Sequence, residues 1–246
     1  MLKYRLTILI LLSLLLGCAP CKKYHPAPIA DGWRMQSAGK SAYIVQRHDT
    51  LYSIAWTFGL DYRDLATYNH ISKPYALKTG QRIYIAKPAT TAKKYVSHWV
   101  AAKKYLHEVH EHFVASNQKI KYWQWPAAGK VISRFDNQIR GNKGIDIAGV
   151  YGEPIYSCAP GKVVYSGNGI RSYGNLLIIK HNDDYLSAYA NNKRMLVREG
   201  QSVTTQQKIA EMGYNDAGRT QLHFEIRHMG KPVNPLLYLS HKPARK

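Results

Sequence analysis

Two residues far apart in the chain carry the chemistry to hold a zinc ion. Asp146 offers a carboxylate oxygen and His223 an imidazole nitrogen. A catalytic zinc site normally takes three protein ligands and leaves the fourth position to water. The place for a third, four residues ahead of Asp146, is held by Asn142. A carboxamide is neutral and substitutes poorly for an imidazole. These residue types describe an incomplete metal site. The expectation is that no metal binds and that Asp146 and His223 hydrogen-bond to each other.

The frame around these positions is specific. Asn142-Lys143-Gly144-Ile145-Asp146, Tyr189-Ala190-Asn191 and Gln221-Leu222-His223 stand among Gly152-Glu153-Pro154-Ile155, Gly161 to Gly167, Ser172-Tyr173-Gly174-Asn175, His223-Phe224-Glu225-Ile226-Arg227 and Val233-Asn234-Pro235-Leu236. With these motifs, residues 122–240 resemble a LytM-type (lysostaphin-like) zinc metallopeptidase domain. The resemblance implies His-x-x-x-Asp and His-x-His for ligands and a catalytic histidine, with a further histidine after a Tyr-Ala pair. Here those places hold Asn142, Asn191 and Gln221, and only Asp146 and His223 remain. Histidine moves protons near neutral pH, and an amide does not. General acid–base help is worth roughly 10²–10⁴-fold, so a domain with Asn191 and Gln221 is expected to have no catalytic residue. This pattern of loss resembles the NlpD/EnvC group, which implies activation of cell-wall amidases. A residual peptidase with His181 as third ligand, and a purely structural wall anchor, are the alternatives.

The elements that must position these residues read as short alternating runs bounded by Gly, Pro, Asn and Asp. They are Gly129–Ser133, Lys162–Tyr165, Leu176–His181, Leu186–Ala190 and Leu222–Ile226. That spacing predicts antiparallel β structure with few helices. Gln206 stands where the resemblance implies a turn glycine. A groove shaped for a peptide stays concave without its catalytic groups and can receive a protein segment. Lys143, Arg171, Arg219 and Arg227 are the candidate partner-binding residues, suited to an acidic surface.

Residues 42–86 form a smaller unit. Leu51, Ile54, Ala55 and Phe58 share one helical face after Asp49 and Thr50, either of which could cap the helix. A second helix runs over 62–69, and short strands flank the pair. Tyr43-x-Val45, Asp49-Thr50-Leu51, Ile54-Ala55, Leu65, Asn69 and Gly80-Gln81-x-Ile83 resemble the LysM module. The resemblance implies peptidoglycan binding through Asp49, Thr50 and Leu51 and through Ile71, Ser72, Lys73 and Pro74. The fold class is therefore α+β: a small βααβ module followed by a mostly antiparallel β domain.

Lys3 and Arg5 precede an apolar run over 6–16, too short to span a bilayer as a mature helix. Residues 1–17 read as a signal peptide, and Leu15-Leu16-Gly17-Cys18 resembles a lipobox. That implies lipid at Cys18 and, with Ala19 next to it, the outer membrane facing the periplasm, with no cofactor beyond the lipid. Residues 18–41 read as a tether. Residues 87–121 read as a linker with an amphipathic helix over 96–116, and 241–246 as a basic tail. The formal charge is +20, which points to an anionic partner; export argues for peptidoglycan and a periplasmic amidase over nucleic acid. Cys21 and Cys158 could pair in an oxidising compartment, a possibility that the spacing leaves open.

Overall fold

The computed structural model describes residues 42–85, 120 and 123–240. The signal peptide, Cys18, the tether, Cys21, the helix expected at 96–116 and the basic tail lie outside the described residues.

The first unit is β1 (Ala42–Ile44), α1 (Leu51–Phe58), α2 (Tyr62–Tyr68) and β2 (Arg82–Tyr84), with β1 and β2 antiparallel. Thr50 caps α1. Its hydroxyl accepts from the Ser53 amide at 3.0 Å, and the Ser53 hydroxyl accepts from the Thr50 amide at 2.9 Å, a reciprocal capping box. Gly59 ends the helix in the left-handed conformation, φ 61°, which a residue without Cβ adopts at little cost. Leu51, Ile54, Ala55, Phe58, Leu65 and Ile83 close a small core.

The second unit contains β3 (Val131–Ser133), β4 (Ile145–Ala148), β5 (Pro154–Tyr156), β6 (Gly161–Gly167), β7 (Asn175–Lys180), β8 (Tyr185–Met195), β9 (Ser202–Val203), β10 (Lys208–Met212), β11 (Gln221–His228) and β12 (Lys231–Val233). The main path is β3-β4-β11-β8-β7-β6-β9, every pair antiparallel. β10 bridges β5 and β8, and β12 pairs with β11. The expected alternation is realised. Leu222, Phe224, Ile226, Tyr189, Leu177 and Ile179 point into the main core, while Ala188, Ala190, Leu176, Ile178 and Tyr165 lie on the opposite face. Side chains two apart on a strand share a face, so His223, Glu225 and Arg227 share that second face.

The two units touch. Trp56 of α1 packs with Tyr165, Ile170, Leu176, Ile178, Leu186, Ala188 and Ala190, on the His223 face of the sheet, and takes no place in the first unit's own core. Gly230 follows β11 with φ 76°, and a Cβ there would lie 2.4 Å from the Leu60 carbonyl oxygen. Only glycine allows that approach.

Candidate functional site

Strand register assembles the site. β11 runs antiparallel to β4 with His223 directly opposite Asp146. Cross-strand neighbours on one face bring their Cβ atoms within about 5 Å. Gly144 lets β4 come this close, because a Cβ there would meet the Phe224 carbonyl oxygen at 2.1 Å. The His223 Nδ1–H donates to Asp146 Oδ1 at 2.7 Å, and its Nε2–H donates to Glu225 Oε1 at 3.1 Å. Glu225 is fully buried. It also accepts from the Tyr173 hydroxyl at 2.6 Å and from Arg227 Nε at 3.0 Å.

The result is a row of alternating charge: Asp146, His223, Glu225, Arg227. Burial works against the imidazolium, but the hydrogen bonds to Asp146 and Glu225 and their charges outweigh it and lift His223 to about 9. Burial likewise opposes the Glu225 charge, yet Arg227 and His223 hold that carboxyl down at about 2. A buried carboxylate is tolerated when paired and hydrogen-bonded. The positive charge that a metal would bring is here a proton on His223.

These donor atoms do not fit zinc. Both His223 nitrogens are committed to carboxylates. Asn142 aims its amide N–H, not a lone pair, at Asp146 Oδ2 (3.3 Å), donates to Ser133 Oγ at 2.9 Å, and receives the Gly144 amide on its oxygen at 3.1 Å. The carboxamide thus knits the loop to the carboxylate. Among the described residues, no group of three or more His, Cys, Asp or Glu side chains is arranged to hold a metal ion.

The other sequence-derived positions divide. Asn191 and Gln221 are buried near the pair, Asn191 with φ 63° and its amide bonded to the Tyr173 carbonyl. His181 is not a third ligand. It lies on the opposite face, where Nδ1 meets the Pro160 carbonyl at 2.8 Å and Nε2 meets the Ser187 hydroxyl at 2.7 Å. Cys158 is a free, fully buried thiol that accepts from the Tyr189 hydroxyl at 3.0 Å, and burial pushes it up to about 12. Lys143, Arg171 and Arg219 stand on three loops beside β4, β7 and β11; Arg171 and Arg219 are exposed, and the Lys143 amine donates to the Gln138 carbonyl.

Arg227 is a correction. It is buried, 5% exposed, with Nη1 donating to the Trp56 carbonyl at 2.7 Å and its guanidinium 3.5 Å from the Trp56 ring centroid. The reason is alternation: residue 227 faces the side of the sheet that the first unit covers. It belongs to a contact between units, not to an open surface.

Leu51 is a second correction. Its side chain is fully buried in the first core, since helix phase turns it inward, so it offers no side chain to a glycan. Asp49 accepts from the Tyr43 hydroxyl and the Gln46 amide, both at 2.7 Å. The Thr50 hydroxyl is occupied by capping. Ile71, Ser72 and Lys73 do line a cleft of about 570 Å³, together with Arg63, Thr67, His70 and Tyr75; Pro74 is exposed next to it. Sequence reading missed Arg63 and Tyr75 here, and Glu225 and Tyr173 at the pair. Glu225 was within reach of it, because a residue two beyond His223 on a strand must share its face.

Comparison with known proteins follows the same division. Residues 140–235 match peptidase family M23 and residues 43–86 match the LysM domain. The "Murein hydrolase activator NlpD" of Escherichia coli (strain K12) is 41% identical over 256 residues, covering 81% of this chain and 68% of that protein. The "Lipoprotein NlpD/LppB homolog" of Pseudomonas aeruginosa is 43% identical over 226 residues, covering 80% and 76%. The "Uncharacterized lipoprotein YgeR" of Escherichia coli (strain K12) is 40% identical over 244 residues, covering 96% and 94%.

Proposed function

Because this chain belongs to the family of NlpD-type murein hydrolase activators, with a LysM module ahead of a LytM (M23) domain, we propose that it switches on peptidoglycan amidases and cuts nothing itself. The observation that carries the second half is the closed row Asp146–His223–Glu225–Arg227. Hydrolysis at zinc needs an open metal position and an activated water. Here the residues that would hold the metal are saturated by one another, and Asn191 and Gln221 stand where proton-transfer groups would be. What remains is a sheet face edged by loops, with Lys143, Arg171 and Arg219 beside it. That surface suits an acidic segment of an N-acetylmuramoyl-L-alanine amidase, whose autoinhibition it relieves.

The remaining parts follow from this reading. The LysM module holds the protein on peptidoglycan, with Asp49 and Thr50 shaping one loop and Ile71, Ser72, Lys73 and Pro74 the other. Lipid at Cys18 anchors it in the outer membrane, facing the periplasm. The work is wall splitting at the division septum, so that daughter cells separate. Relatives named as lipoproteins and as a murein hydrolase activator support this placement.

Release of soluble dye from labelled sacculi tests the reading. The protein alone is expected to release none, and one candidate periplasmic amidase is expected to be strongly stimulated by it. Charge reversal at Arg171 or Arg219 is expected to weaken that stimulation without unfolding the domain. Release by the protein alone, abolished by chelator and by Asp146→Ala, together with zinc that survives dialysis at one per chain, would make it an enzyme. Glycan binding without any effect on amidase rate would leave only the anchor.

A further inference from the structure

The LysM module lies on the same face of the LytM sheet as His223. Its contact there is more than a chance touch of two surfaces. Trp56 is 3% exposed although it serves no part of the LysM core. Alone, that module would present a bare tryptophan from α1. A cation–π pair is strengthened when it is desolvated, and Trp56 supplies both the ring and the carbonyl that Arg227 needs. The margin is tied at three further points. Arg63 Nη1 meets Asp184 Oδ1 at 3.0 Å, the Lys231 amine reaches the Gly59 carbonyl at 3.3 Å, and Gly230 admits Leu60.

The LysM side of this contact also borders its cleft. Arg63, which grips Asp184, lines the cleft with Ile71, Ser72, Lys73 and Tyr75. Tyr75 packs edge-on against Tyr52 and Tyr62. Tyr52 is packed against the sheet-face cluster, and the Tyr62 hydroxyl lies 3.5 Å from Asp183. A sugar seated in the cleft would work on the residues that make the docking.

We propose that the LysM module masks part of the amidase-binding face of the LytM domain, and that a glycan chain bound in the Arg63–Lys73 cleft competes with this docking and frees the face. The protein then offers its activating surface chiefly where it is attached to wall. The inference rests on the activator reading and adds its regulation. Docking within one chain needs little intrinsic strength, because the stretch 87–121 that joins the modules keeps the effective concentration at roughly the millimolar level. A closed fraction of about nine in ten weakens the apparent affinity for the amidase about tenfold.

The test uses the full chain in detergent, an amidase that it stimulates and an N-acetylglucosamine hexamer as glycan probe. Two variants open the docking by different means: Trp56→Ala removes the anchor, and Asp184→Arg sets two cations against each other. Both are expected to bind the amidase about tenfold more tightly than the unmodified chain, and saturating hexamer is expected to tighten the unmodified chain alone, closing the gap. Acrylamide quenching of Trp56, taken as the difference between the unmodified chain and Trp56→Phe, is expected to rise with hexamer. Equal amidase affinity of all three chains, with and without hexamer, would overturn the masking while leaving activation intact. If no form of the chain binds an amidase, the activator reading fails; Trp56 quenching then decides the coupling by itself, and its indifference to hexamer would overturn it.

Discussion

His181 and His223 sit on opposite faces of one sheet and are held in opposite charge states. His181 is enclosed by Trp123, Cys158, Ser187 and the Pro160 carbonyl. Nothing there is an anion, so burial pulls its pKa down to about 4. His223 is flanked by two carboxylates, and the same burial penalty is overcome. Desolvation is common to both. What differs is whether an opposite charge lies within hydrogen-bonding reach. The neutral histidine belongs to a packing face, and the charged one belongs to a face where opposite charges alternate.

The largest effect should come from breaking the charged row at its centre. Glu225→Ala leaves Arg227 and His223 buried without their shared anion, and removal of one member of such a pair costs about 3–5 kcal/mol. Urea unfolding at pH 7 is the measurement, and a loss below 1 kcal/mol would mean that the row is solvated. The contrast between the histidines sharpens with pH. Between His181's ordinary value near 6.5 and its folded value near 4, the unfolded chain takes up a proton that the folded chain refuses. Stability therefore falls as pH drops through this window, by on the order of 3 kcal/mol. Denaturant titrations at pH 7 and pH 4.5 should show the slope in the unmodified chain and a shallower one in His181→Gln. Least affected is Asn142→Ala, which loses amide hydrogen bonds to Ser133 and Asp146 and should cost about 1 kcal/mol. A far larger loss would show Asn142, not Glu225, as the keystone.

Much of this was readable in residue order. The capping pair Thr50 and Ser53, the left-handed Gly59 and the alternation along 222–226 are local signals, each set by a few neighbouring residues. Gln206 stands at φ 60°, in the left-handed turn where a glycine was expected. The short strands β4, β5, β9, β10 and β12 were not picked out. Two to five residues carry too little periodicity, and most of their pairing partners lie far along the chain.

The sequence by itself determined the order of the two modules, the absence of histidine at positions 142, 191 and 221, and the alternation that sends Leu222 and Phe224 one way and His223 the other. These depend on residue identity and on the strand's own twofold period. Tertiary structure alone decided the register that sets Asp146 against His223, that Tyr173 reaches Glu225, and that Arg227 is buried under Trp56, 171 positions away. An arginine has the same type at a rim and in a buried stack. Only the packing of distant segments sets which of the two it occupies, because the cost of burying its charge is met by partners that no local pattern specifies.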